Sequence, residues 1–376
     1  MKILYCCRIN EHSTKMAGVF KKVLGQVRAL AHAHQTFFMY MSYDSFKIAE
    51  YNVKRDTLSI VFEQKGVSKL GEREYFWELA NQYYCKVKPD FVYARYDQMY
   101  DGQNLAKFFK SLCGNNIVTS IEFPTYPYEF EIKDKTQLER DVENRSTLLP
   151  FVSFISSTNP ATELLGKLNF YFDNKVSDAW SQPELDNIQW PKHRIDLLAV
   201  ANISDWHAFD RVIRGLDRYY QSEHEVDVHF NLVGDGSDLD KLQSITNNLN
   251  LSDKVHFWGF KLADELLPFY LSSDIGIDTL GCHRKHVSTI SSLKGREYLY
   301  FGLPTVTTNI DKELSKNPYC IIYDSDESAL DIHDLLEQYK KFSTTGVTNK
   351  EIQEYAKANL TWSSWSDSLI RFIRKI

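Results

Sequence analysis

Apolar residues in this chain fall into short runs that alternate between two periods. Residues 2–7 (KILYCC) read as a strand, apolar without interruption from Ile3 to Cys7. After a polar loop, Val19, Phe20, Val23, Leu24, Val27 and Leu30 recur at helical spacing, and 36–41 is again a buried strand. This is a βαβ opening, the unit from which parallel sheets are built. Further strands are expected over 48–64, with a turn at 54–56, and at 90–95, 117–121, 152–156 and 170–172. Helices are expected over 72–86, 102–112, 133–149 and 160–168.

The pattern breaks over 173–194, where Pro183, Pro191 and two tryptophans sit among polar residues, and it then restarts. Strands are predicted at 195–201, 226–233, 255–258 and 275–280, separated by helices carrying Phe209 to Tyr220, then 239–249 and 263–271. Residues 326–376 read as mostly helical. The chain is therefore α/β, with two doubly wound, Rossmann-like halves. The expected domains are 1–175, a linker at 176–194, then 195–355, with 356–376 a helix returning towards the first domain.

Composition narrows the classes. Apolar content of 43% and charged content of 25% belong to a folded chain. The formal charge of -6 argues against general nucleic-acid binding. No run approaches eighteen apolar residues, and Arg8 ends the first apolar run too early for a signal peptide. Six cysteines show no CxxC and no ligand-like spacing, so free thiols in a reducing cytosol are expected and a zinc site is not.

The most informative stretch is 282–304, CHRKHVSTISSLKGREYLYFGLP. It reads as a long loop and then a helix over 293–301, capped by Ser291 or Ser292 and stopped by Gly302 and Pro304. In an acidic chain it gathers Arg284, Lys285, Lys294 and Arg296 beside His283 and His286, with Glu297 its only acid. Cations around a helix N-terminus suit a diphosphate. Gly295 in the first turn fits close approach of a ligand or another backbone. Glu297, one turn in, is placed to accept hydrogen bonds from two neighbouring sugar hydroxyls. The plain alternative is a solvated basic loop in which Glu297 pairs with Lys294 or Arg296.

A second stretch follows the strand at 117–121: Glu122, two prolines, Tyr126, Tyr128, Glu129 and Glu131. Ligands of open α/β sheets bind at that strand edge. Acid–base or hydroxyl-binding work by Glu122 or Glu129 competes with a proline-stiffened loop over packed tyrosines. Gly18 and the pair Gly234, Gly236 occupy loop-to-helix junctions, and the latter lacks the GxGxxG spacing, so a simple turn is the alternative.

Together VGDGSDLDKL, VHFWGF and EYLYFGLPTVTT, in that order after Gly18, resemble the retaining family-4 glycosyltransferases of the GT-B fold. WHAFDRVIRGL and IEFPTYPYEFE are similar to a branch used in capsule and exopolysaccharide assembly. The resemblance implies two domains facing a cleft and a UDP-linked nucleotide-sugar donor. It also implies a glycan or lipid-linked glycan acceptor, transfer with retention in surface polysaccharide biosynthesis, and no metal or other cofactor. It implies a cytoplasmic protein with at most peripheral contact at the inner membrane face, through residues such as Lys21, Lys22 and Arg28. Glu297 fits the family's second glutamate, which binds the ribose, while Thr289 stands where the first is expected. The implied donor residues are Gly18, Asn202, His207, Arg211, Gly234, Gly236, Phe260, Lys261, Arg284, Lys285, Ser291, Ser292, Leu293, Lys294, Arg296 and Glu297. The acceptor side is Glu122, Tyr126, Tyr128 and Glu129, and Glu122, Glu297 and Lys294 are placed at the reacting centre. Two alternatives stay open: a non-catalytic subunit of this fold, prompted by Thr289, and a sugar-nucleotide epimerase.

Overall fold

The computed structural model describes the chain except residues 14–15, 68–72, 125, 130–131, 178–181, 183, 185–187, 263–264 and 286–288. The chain divides into two compact units. Unit 1 is Met1–Asp173 together with Trp362–Ile376, and unit 2 is Asn174–Thr361.

Unit 1 runs β1 (Lys2–Asn10), α1 (Ala17–Ala31), β2 (Gln35–Ser42), β3 (Ser45–Asn52), β4 (Thr57–Gln64), α2 (Arg73–Tyr83), β5 (Phe91–Arg95), α3 (Asn104–Gly114), β6 (Val118–Phe123), α4 (Lys135–Leu148), β7 (Phe154–Ser157), β8 (Glu163–Leu164) and β9 (Lys167–Tyr171). Its sheet has the order β4-β3-β2-β1-β5-β6-β7-β9-β8. β1 pairs in parallel with both β2 and β5, so the direction of winding reverses between β1 and β5. Strand alternation sorts side chains to two faces. Tyr5, Cys7 and Tyr93 face α1 and the C-terminal helix, whereas Leu4, Cys6, Val92 and Ala94 face α2 and α3.

Unit 2 runs β10 (Arg194–Val200), α5 (Phe209–Tyr220), β11 (Asp227–Val233), α6 (Leu239–Asn248), β12 (Val255–Phe257), α7 (Leu267–Leu271), β13 (Ile275–Ile277), α8 (Leu293–Tyr300), β14 (Thr305–Thr308), β15 (Cys320–Tyr323), α9 (Ile332–Thr344) and α10 (Asn349–Asn359). The last helix, α11 (Trp362–Ile373), returns to unit 1, where Trp362, Trp365 and Leu369 are buried against Tyr5, Tyr93 and Phe172. The sheet of unit 2 is parallel throughout, ordered β12-β11-β10-β13-β14-β15, and winds in opposite directions from β10 and β13.

One element differs in type from the expectation. Residues 160–168 do not form a helix but the antiparallel hairpin β8–β9. Leu165 and Gly166 both take positive φ (52° and 74°), the conformation of a two-residue hairpin turn, which overrides the helix-compatible spacing of the leucines. Where a cap was expected, Ser292 is the N-cap residue of α8 but makes no side-chain cap bond. Its hydroxyl donates instead to the buried Asp278. The stop is as expected: Gly302 has φ 91° and the amide of Leu303 donates to the Tyr298 carbonyl at 2.9 Å. The six cysteines are free thiols. No helix among the described residues is long and apolar enough to cross a membrane.

Candidate functional site

A parallel sheet gathers its loops at the carboxyl ends of its strands, and a reversal of winding opens a crevice there. In unit 2 that crevice lies between the loops after β10 and β13. The amide of Leu280 donates to the His207 carbonyl at 3.0 Å and that of Gly281 to the Trp206 carbonyl at 3.1 Å, which ties the two loops together. Gly234 and Gly236 end β11 against the same loop: a Cβ on them would lie 1.8 Å from the Ala201 oxygen and 2.0 Å from the Ile203 oxygen. Their glycines are set by this backbone approach, not by a free-standing turn. Gly18 has open space where a Cβ would be.

His207 is buried, and its Nδ1 accepts the Ser204 amide hydrogen at 3.0 Å, so its proton sits on Nε2. Burial first, then the charges of Lys294 and Lys285, push its pKa down to about 3, against the opposing Ser204 bond. It is a neutral donor. Lys285 sits over the Trp206 ring at 3.2 Å from its centroid. Lys294, in the first turn of α8, makes no hydrogen bond or ion pair among the described residues, while its charge acts on Asp278 and Cys282 as well as His207. Glu297 lies half-buried on the next turn, where its carboxylate, after burial, raises the pKa of Tyr270.

Three arginines expected on the donor are committed elsewhere. Arg296 is fully buried, with Nη1 on Asp311 at 2.7 Å and Nη2 on Glu313 at 2.8 Å. Arg211 is buried and donates to the carbonyls of Ser328, Leu280 and Asp324. Arg284 pairs with Asp210 at 2.9 Å and Glu327 at 2.6 Å and reaches Asp205 at 3.2 Å. These side chains cross-link the loops of the unit. Gly295 is likewise explained inside the fold: a Cβ there would meet Leu314 at 2.6 Å and Asp278 at 2.8 Å. Ser291 accepts from the Asn174 amide and side chain at 2.7 and 2.9 Å. Leu293 opens α8, Asn202 and Thr289 are exposed, and Lys261 is half-buried. Phe260, after β12, is 71% exposed. His286 lies outside the described residues.

In unit 1 the crevice lies between β1 and β5. Alternation puts Tyr93, Arg95 and Glu122 on the α1 face, where Lys22 and Gln26, one helical turn apart, reach them. Glu122 is 0% exposed and accepts from Tyr93 (2.7 Å), Arg95 (2.7 Å), Gln26 (3.1 Å) and Lys22 (3.2 Å). Burial alone would raise its pKa, but Lys22, Arg95 and the hydrogen bonds from Tyr93 and Gln26 outweigh it and hold the carboxyl at about 2. The buried, four-times-bonded carboxylate is the hub of this cluster. Lys22 is turned inward onto it with its side chain 10% exposed, and Arg28 pairs with Asp56 at 3.1 Å.

The rest of the expected acceptor side folds back onto α4. Tyr128 is buried with its hydroxyl on Asp141 at 2.5 Å, and Arg145 donates to that hydroxyl at 2.6 Å and to Glu129 at 3.1 Å. Tyr126 is half-buried against Phe123, and Glu131 lies outside the described residues. Sequence reasoning missed Lys22, Gln26, Tyr93 and Arg95 as a group; the i, i+4 polar pair on an otherwise apolar helix face was the available signal.

Residues 194–338 match the sequence family described as "Glycosyl transferases group 1". No curated protein matches the sequence. Among solved structures the chain is similar to the Anabaena protein Alr3699/HepE in complex with UDP, with a TM-score of 0.64 and 14% identity over 100% of both chains. It is also similar to sucrose-phosphate synthase from Thermosynechococcus elongatus (TM-score 0.62, 11% identity, 100% and 99% covered). A third is the apo lipopolysaccharide outer core galactosyltransferase WaaB (0.56, 13%, 99% and 99% covered). The fold is GT-B, built from two Rossmann-like units.

Proposed function

We propose that the protein is a glycosyltransferase that takes a nucleotide-sugar donor at the β10–β13 crevice of unit 2. The match of residues 194–338 to a glycosyltransferase family supports this. The observation that carries it is the division of labour around α8. The arginines are consumed by their own carboxylates and carbonyls, while Lys294 and the Nε2–H of His207 make no hydrogen bond among the described residues.

Breaking the bond between the anomeric carbon and the diphosphate oxygen leaves negative charge on that oxygen. Lys294, neutral His207 and the first-turn amides of α8, which lack a side-chain cap, meet that charge without reorganising. Glu297 takes the ribose hydroxyls, and exposed Phe260 offers a ring face to the base. UDP is the nucleotide we assign, supported by the UDP complex of the Anabaena neighbour. The acceptor is a glycan or lipid-linked glycan of a surface polysaccharide. Its attacking hydroxyl passes its proton to the leaving phosphate and the anomeric configuration is retained.

A panel of nucleotides and nucleotide sugars tests this by thermal stabilisation. A donor at one hundred times its Kd stabilises the folded state by about 2.7 kcal/mol. UDP and one UDP-sugar are expected to stabilise and slow donor hydrolysis to follow; no response to any member overturns the proposal.

A further inference from the structure

Unit 1 carries a buried charge that its described residues do not neutralise. Two cations, Lys22 and Arg95, share the single carboxylate of Glu122. The other titratable groups around it are neutral: burial, then Glu122, push the hydroxyls of Tyr5 and Tyr93 well up, and burial holds the Cys7 thiol at about 12. Asp97, the next carboxylate along the edge, is already held by Arg8 and by Arg73 at 3.0 Å. One positive charge is left over at the crevice where the sheet reverses.

The geometry of Arg95 leaves an opening for its counterion. Nη1 is spent on Glu122, while Nε and Nη2 make no hydrogen bond among the described residues, and the side chain is 15% exposed. Nε–H and Nη2–H form one parallel edge of the guanidinium, the fork that takes two oxygens of a phosphate. Lys22, 10% exposed, stands on the other side of Glu122 with its ammonium 5.6 Å from the Phe172 ring centroid and 5.8 Å from that of Trp362.

We propose that Arg95 and Lys22 form a phosphate-binding subsite in unit 1, filled by a phosphate group of the acceptor. The word acceptor rests on the glycosyltransferase reading; the anion subsite itself does not. A phosphate group with one negative charge, as in a diester or a bridged diphosphate, can engage the guanidinium fork and the ammonium together and supplies the charge that the cluster lacks. The phosphate ester could belong to a lipid carrier or to a soluble sugar.

The test is titration of inorganic pyrophosphate into the full-length protein saturated with UDP, followed by calorimetry. The wild type is expected to bind it, and Arg95→Gln to weaken binding roughly tenfold or more while UDP affinity stays within about twofold. Arg95→Gln removes the surplus charge and leaves the Lys22–Glu122 pair, so it is expected to fold; Lys22→Met provides a second variant with the same expected loss. Geranyl diphosphate binding more tightly than pyrophosphate assigns a lipid carrier and equal binding a soluble phosphate, and both support the subsite. No pyrophosphate binding to the UDP-saturated wild type, or wild-type binding by both variants, overturns the proposal. Loss of pyrophosphate affinity in the variants of a protein that never binds UDP would uphold the subsite and sink the donor reading alone.

Discussion

At the carboxyl edge of the six-stranded sheet, Arg211, Arg284 and Arg296 close on acceptors of their own unit. At the edge of the nine-stranded sheet the arrangement is inverted: one carboxylate, Glu122, collects two cations and two neutral donors. In unit 2 a dense positive stretch is largely neutralised, while Lys294 and the Nε2–H of His207 make no hydrogen bond among the described residues. In unit 1 Glu122, near the end of β6, anchors a cluster in which two cations share one carboxylate. The count of charges in a stretch does not report the charge a ligand meets, because the partners lie far away in sequence: Asp210 and Glu327 for Arg284, Asp311 and Glu313 for Arg296.

The contrast can be broken at several points. The largest effect is expected at Arg296. Arg296→Ala strands the buried Asp311 carboxylate and should cost about 3–5 kcal/mol in urea unfolding. A neutral result would mean that the arginine is not structural. Next is the acid limb of unit 1. The folded pKa of Glu122 lies below its ordinary 4.5, so the unfolded chain binds more protons as the pH falls. Its contribution is complete above pH 4.5 and lost towards about 2, an effect of about 3 kcal/mol. Glu122→Gln should therefore flatten the fall in stability across that window, and an unchanged acid limb would show that the carboxylate is not held by Lys22 and Arg95. The smallest effect is expected at Arg284, whose partners Asp205 and Glu327 are exposed and whose buried partner Asp210 keeps Arg214 at 3.7 Å: Arg284→Ala should cost about 2 kcal/mol.

Much of the architecture is written in local pattern. The 2-to-3.6 alternation of period marks most strands and helices, and Gly302 with Pro304 marks the end of α8. The hairpin at β8–β9 was not legible, because two positive-φ residues decide it against a helix-compatible leucine spacing. The site was less legible than the fold. Glycine at 295 reflects Asp278 and Leu314, and the glycines at 234 and 236 reflect backbone carbonyls of a different strand's loop, none of them adjacent in sequence. Ser292 is turned from its expected cap by Asp278, a group visible only once β13 and α8 are side by side.

Under the proposed function, unit 2 binds the donor through Lys294 rather than through the neighbouring arginines. Titration of UDP into wild type and Lys294→Ala, with the melting temperature of each recorded, tests it most directly. One site is expected in the wild type, with affinity lowered roughly tenfold to a hundredfold in a Lys294→Ala protein that still melts cooperatively at a somewhat lower temperature, since the Lys294 charge also faces the buried Asp278. Wild-type UDP affinity in a folded Lys294→Ala protein, or no UDP binding by the folded wild type, would contradict it.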